Sequence, residues 1–174
     1  MLDNAIVSYV RCAMEFEKKL RDRNKWSVGD GCPMAKTLDL LSTKTTFLVL
    51  RECFYGTTRF EDFVERIGAS APAVSRAVKQ LESAGIIERV PYQEPGRRVR
   101  DEYRLTPAGK DLLPVLLSLA QWGDKHLHGG RGPLRFVDPT TGRALGVRIT
   151  DESGDIATES DDIEIRANPA FRRR

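Results

Sequence analysis

From residue 3 to residue 85 the apolar positions recur every three or four residues; from 86 to 106 they shift toward a period of two. Ile6, Val7, Val10, Ala13, Met14 and Leu20 predict an amphipathic helix over 3–23, with Lys18, Lys19, Arg21 and Asp22 off its apolar face. "WSVGDGCP" breaks that pattern with two glycines and a proline. A short helix over 33–41 (Met34, Leu38, Leu41) follows, then a strongly apolar one over 44–55, with Gly56 as its C-cap candidate. Residues 58–67 put Phe60, Phe63, Val64 and Ile67 on one face, and Gly68 ends that helix. The next runs from Ser70, the N-cap candidate, through Pro72 in the first turn to Gly85. The last two of these helices flank a glycine-containing turn, which is a helix-turn-helix arrangement.

The period then changes. "IIERVPY" and "RDEYRLT" read as strands flanking "QEPGRRV", a Pro/Gly turn rich in arginine, so a β-hairpin wing follows directly. Thr106 and Pro107 open a long helix over 107–122 whose apolar residues (Leu112, Leu113, Val115, Leu116, Leu117, Leu119, Trp122) cover more than one face. Such a helix must be covered on both sides, which predicts a second subunit against it. Beyond residue 131, short β-like runs alternate with turn signals and predict a small β-meander. The predicted fold class is thus mainly α with a small β wing, a winged helix-turn-helix (α+β) carrying a C-terminal β-meander appendage. Its expected divisions are an N-terminal dimerisation helix (1–28), a winged helix-turn-helix domain (29–128), the meander extension (131–168) and a flexible tail (169–174).

Candidate chemistry concentrates on the helix "GASAPAVSRAVKQLESAG" and on the wing. Placing Val74, Ala77, Val78 and Leu81 on the core leaves Ser70, Pro72, Ser75, Arg76 and Lys79 on the outer face. Arginine bonds bidentately to guanine O6 and N7, and serine and lysine suit phosphate or base edges, so this face fits a major groove. The plainer alternative is a solvated charged face. Arg97, Arg98 and Arg100 on the wing turn suit the phosphate backbone or minor groove, unless nearby Asp101 and Glu102 neutralise them. Arg59, opening the preceding helix, suits a backbone phosphate or a salt bridge to Glu52 or Glu61. Cys32 stands before Pro33 with Lys36 close in sequence, a setting for a reactive thiolate or equally for an inert buried thiol. Cys12 and Cys53 fall on apolar helical faces and read as core.

Several segments in fixed order, "CPMAKTLDLL", "LREC-YG--RFEDF", "VKQLESAGIIER" and "EYRLTPAGKDLLPVL---AQW", together resemble the HxlR-type winged helix-turn-helix regulators of bacteria and archaea. The resemblance runs from about Cys32 to Trp122. It implies a DNA-binding transcription factor that acts as a homodimer, and some members of the family sense electrophiles or oxidants through a cysteine near the amino end. The chain departs from the family at Thr43-Lys44-Thr45, where members usually carry a Gly-basic-Trp triplet, and in a longer, more arginine-rich wing turn.

Charge sharpens this picture. The net charge is only +3, but four arginines fall between Arg97 and Arg104, and seven acidic residues without a lysine or arginine fall between Asp151 and Glu164. Segregation of this kind suits one face meeting an anion. No phosphate-binding loop, H-E-x-x-H or G-x-S-x-G motif is present, and the two histidines, His126 and His128, lack further metal ligands nearby, so no catalytic residue, metal or cofactor is expected. The amino end lacks a secretory pattern, and "LLPVLLSLA" is too short to span a bilayer. With three widely spaced cysteines, the expectation is a cytoplasmic protein without membrane contact. Its expected partners are double-stranded DNA, a second copy of itself on an inverted-repeat operator, and an unknown effector. The competing reading is a winged-helix module without DNA binding, serving as a protein-interaction or small-molecule-binding unit.

Overall fold

The computed structural model describes residues 14–154 and 163–170. The chain forms two compact units: Cys32–Val147, and Met1–Gly31 together with Arg148–Arg174. These divisions differ from the sequence expectation, since residues 129–147 belong with the winged helix-turn-helix unit and the amino-terminal boundary falls after Gly31.

In the smaller unit, strand β1 (Glu15–Phe16) is followed by 3-10 turns at Lys18–Leu20, Arg23–Lys25 and Gly29–Gly31. The expected helix over 3–23 is therefore not formed from residue 14 onward, and its earlier part lies outside the described residues, as does Cys12. The reason lies in where donors and rings are engaged. Glu15 and Glu17 donate their backbone N–H groups to Ile163 O and Ile165 O (2.9 and 3.0 Å) in the parallel pairing with Glu164–Ile165, the last strand among the described residues. Phe16 and Trp26 meet at 5.6 Å between ring centroids, Arg23 lies over both rings, and Trp26 Nε1 donates to Leu20 O at 2.7 Å. The apolar residues close on one another as a tertiary cluster, not as a stripe.

The larger unit opens with α1 (Pro33–Leu40), α2 (Lys44–Phe54), α3 (Phe60–Ile67) and α4 (Ala71–Ser83). Thr43 caps α2 by accepting from Thr46 N–H at 3.1 Å. Gly68 ends α3 at φ +66°, a left-handed conformation that favours glycine. Val49 and Leu50 of α2, Phe63 of α3, and Val74, Ala77, Val78 and Leu81 of α4 make one core with Ile86 and Ile87. Each large side chain there contributes about 1.5–3 kcal/mol of burial. Strands β2 (Ile87–Tyr92) and β3 (Arg100–Leu105) pair antiparallel from Ile87↔Leu105 to Tyr92↔Arg100, so the wing hairpin stands where the change of period predicts it.

Two expectations fail further along. The long helix from Pro107 is broken into α5 (Pro107–Lys110) and α6 (Leu113–Leu127). Pro114 has no N–H to give to Lys110 O, and its ring disfavours helical geometry just before it. The meander over 131–168 is absent among the described residues: these carry the bridge Val137↔Ala144, a further bridge residue at Thr150, and then β4 (Glu164–Ile165) paired to β1. Asp138 explains the turn between the bridging residues, because its carboxylate accepts from the N–H groups of Thr140 and Thr141 (2.9 and 2.6 Å). Residues 155–162, with most of the acidic run, and the tail from 171 lie outside the described residues.

Candidate nucleic-acid interface

Helix α4 owes its orientation to four side chains that leave almost no surface exposed: Val74, Ala77, Val78 and Leu81. With those on the core, Ser70, Pro72, Arg76 and Lys79 are exposed and Ser75 is half-buried, all on one helix. Ser70 occupies the N-cap position without a side-chain cap bond, so its hydroxyl is not engaged at the helix end. Arg76 and Lys79 form no ion pair with another described residue. A basic, polar face on a helix fixed by its opposite side suits entry into a major groove.

Gln80, which sequence reasoning passed over, fixes the pitch of this helix. Its side-chain amide donates to Asp39 O (3.1 Å) and Leu40 O (3.0 Å), capping the end of α1, and also to Ser42 Oγ (3.2 Å), while its oxygen accepts from buried Thr46 Oγ1 (3.4 Å). The signal in the sequence was slight: a polar residue one position before a core leucine.

The wing is more internally tied than the sequence suggests. Arg59, at the N-cap position of α3, pairs with Glu94 at 2.8 Å and lies over the Tyr92 ring at 4.9 Å, in place of the expected partners Glu52 or Glu61. The hydrogen bond that Arg59 donates to Glu94, then the charge of Tyr92, raise the Arg59 pKa above its ordinary value. Arg97 approaches the other oxygen of Glu94 at 3.5 Å, so one carboxylate bridges the root of α3 and the wing turn. Glu52 is engaged elsewhere: it is buried, receives Arg51 at 2.6 Å and accepts from Thr57 Oγ1 at 3.1 Å. Asp101 and Glu102 do not neutralise the wing-tip arginines, because Asp101 faces Arg89 (3.4 Å) and Glu102 holds Arg104 (2.5 Å). Arg98 and Arg100 are exposed and form no ion pair with a described residue.

The cysteines separate clearly. Cys32 is half-buried at the N-cap position of α1, where it makes no side-chain cap bond. Cys53 packs beside the core, and burial, reinforced by the Glu52 charge, pushes its thiol up to about 12. His126 stacks on Trp122 at 5.1 Å between centroids, and no group of three or more metal-ligating side chains occurs among the described residues. No described helix is long and apolar enough to cross a membrane.

A helix with a free basic face, followed at once by an arginine-bearing hairpin, defines the winged helix-turn-helix class of fold. The chain belongs to the HxlR-like helix-turn-helix family, whose profile matches residues 40–130. It is similar to the HTH-type transcriptional regulator Rv3095 of Mycobacterium tuberculosis, itself uncharacterised, with 38% identity over 104 residues covering 60% of this chain and 65% of that protein. The match thus spans just under two thirds of the mycobacterial relative. A Synechocystis HTH-type transcriptional regulator, also uncharacterised, is 37% identical over 59% of this chain and 75% of its own length. Among solved structures, PA1607, a protein proposed to be a transcription factor, superposes with a TM-score of 0.64 at 27% identity, covering 73% of this chain and 89% of that one. PA1374 of Pseudomonas aeruginosa, described in the same way, gives 0.58 at 25% identity over 81% and 95%. These relatives are transcription regulators or are proposed to be; none is an enzyme.

Proposed function

We propose that this protein is a cytoplasmic, sequence-specific DNA-binding transcriptional regulator that acts as a homodimer on an inverted-repeat operator. The observation that carries the reading is the α4 face: Arg76 and Lys79 stand exposed and without ion-pair partners among the described residues, on a helix whose other side is locked into the core. In this reading α4 enters the major groove, with Ser70, Pro72 and Ser75 closing on its walls. Arg98 and Arg100 of the wing grip the flanking phosphates. Arg59 and Arg97 join them when phosphate displaces Glu94.

The dimer rests on α6. Leu113, Val115, Leu119, Trp122 and Leu127 are 40–71% exposed within the chain, and α1 adds exposed Met34 and Leu38. A helix with this much apolar surface outward suits an isologous contact with a second copy, and two-fold symmetry then makes the operator palindromic. Cys32 is the candidate sensing thiol, since Cys53 is held protonated by burial.

A gel shift with the gene's own upstream DNA at two salt concentrations tests the reading. The expected result is a sequence-preferring complex that weakens steeply with salt. Absence of any complex at low salt would favour an interaction module. For Cys32, a mild electrophile is expected to weaken DNA binding in the parent and not in Cys32→Ser; equal responses would return the thiol to a structural role.

A further inference from the structure

A half-open cavity of about 780 Å³ lies within the Cys32–Val147 unit. It is lined by Leu117 and Ala120 of α6, by Leu134, Phe136 and Leu145 of the segment after α6, which forms its roof, and by Arg51 of α2 and Tyr55 at that helix's C-cap. The roof is fixed to the helix at two places. Gln121 exchanges two hydrogen bonds with Val147, accepting from its N–H at 2.8 Å and donating to its O at 3.3 Å. Three residues on, Asp124 accepts from Gly132 N–H. At both anchor points a side chain in place of glycine would press on the anchoring group: a Cβ at Gly132 would stand 2.5 Å from Asp124 Oδ1, and one at Gly146 3.0 Å from Gln121 Oε1. The sequence therefore builds a roofed chamber, where a loose tail would have needed none of these contacts.

The chemistry of the walls narrows the occupant. Lys125 and Arg135 border the cavity and form no ion pair with a described residue, whereas the acid among the lining residues, Asp124, is engaged by the Gly132 N–H. Leu134, Phe136 and Leu145 give an apolar body beside those cations, within the size range of small-molecule sites. Arg51 also ties the chamber to the wing. Its guanidinium holds Glu52, Glu52 holds Thr57, and the next residue, Thr58, accepts from Tyr103 N–H of β3 at 2.8 Å.

From these contacts we infer that the cavity is an effector site for a small amphipathic anion, its charge set against Arg135 and Lys125 and its apolar body against the roof, and that occupancy bears on the wing through Arg51 and Glu52. The inference deepens the regulator reading and rests on it for the regulatory half. The test uses the full chain and 1-anilinonaphthalene-8-sulfonate as the anionic probe, with N-phenyl-1-naphthylamine as its neutral counterpart. The expected result is one probe bound per chain, weakened about tenfold by Arg135→Ala and unchanged by Lys110→Ala, with the neutral counterpart binding at least tenfold more weakly. Equal affinities in the two variants, or equal affinities for the two probes, would overturn the site. Saturating anion should also shift operator affinity at least threefold, and an unchanged affinity would overturn the link to the wing. If the anion binds at Arg135 in a protein with no DNA affinity at all, the site stands and the regulator reading falls.

Discussion

Helices α4 and α6 start from similar material, apolar residues at helical spacing, and end in opposite situations. α4 buries all four of its core-facing side chains within its own chain, leaving a face free of large apolar groups. α6 buries only Leu116 and turns five large hydrophobic residues outward. The first helix is complete as it stands and presents charge; the second is incomplete and presents hydrocarbon. The outward faces therefore suit different partners, a polyanion for α4 and another apolar surface for α6.

The most forceful way to break the contrast is to truncate one leucine on each helix. Leu81→Ala should cost about 2–5 kcal/mol in chemical denaturation, because the cavity it leaves is walled by α2 and α3. Leu119→Ala should change the stability of the dilute monomer by within about 0.5 kcal/mol, while lowering the sedimentation-derived dimer fraction at micromolar protein. Equal destabilisation of the monomer by both would mean that α6 is covered within the chain.

The α4 side of the comparison sharpens through its arginines. Arg76→Ala should lose about 1–3 kcal/mol on the cognate site and discriminate less at one base position. Arg98→Ala should weaken all sequences alike and flatten the log–log salt slope by about 0.9 per lost phosphate contact. In a symmetric dimer each effect occurs twice, and both variants should melt as the parent does. If Arg76→Ala unfolds the domain instead, the outward face of α4 is structural.

These expectations divide along the line between what the sequence makes visible and what it hides. The helix-turn-helix and wing were legible because their signals are local: glycine at each helix end, a change of period after Gly85, and four apolar residues at a spacing that fixes one face. Pro114 was just as visible, yet its effect was underread; a proline in the first turn of α6 is harmless, but it leaves no route for an unbroken helix from Pro107. The beginning of the chain misled for a different reason. Met14 and Leu20 complete a helical stripe on paper, and only the distant strand Glu164–Ile165 and the Arg23 stack on Phe16 and Trp26 reveal another arrangement. Among the site residues, the outward set on α4 followed from burial of its neighbours. The Arg59–Glu94 pair and the Gln80 cap join residues 35 and more positions apart, which no local pattern reports.

Two smaller effects complete the comparison. Glu94→Gln should release Arg59 and Arg97 for phosphate, tightening binding to all sequences and steepening the salt slope by up to about 0.9 per arginine engaged. An unchanged slope would show that neither arginine reaches DNA. On the packed side, Cys53 tests how dry the seam beside α4 is. Its thiol ionises near 12 in the fold against an ordinary value of 9, so the unfolded chain loses its proton first. That contribution to stability is full below about pH 9 and falls as the pH rises toward 12. Denaturation midpoints of the parent should therefore decline more steeply across that range than those of Cys53→Ala, and parallel curves would mean that water reaches the thiol.

Gly109 carries a consequence for how this sequence can change over time. A Cβ there would fall 2.1 Å from Ile86 O, an oxygen that also accepts the Thr106 N–H at 3.0 Å and so has no freedom to retreat. Where most positions in a protein drift among several residue types, this one admits a single letter of the amino-acid alphabet. In a saturation library selected for folded protein, position 109 should be a column of glycine, while exposed positions 76 and 79 of α4 are open to variation and so to new target sequences. A protein built this way keeps its hairpin root constant and lets its specificity wander.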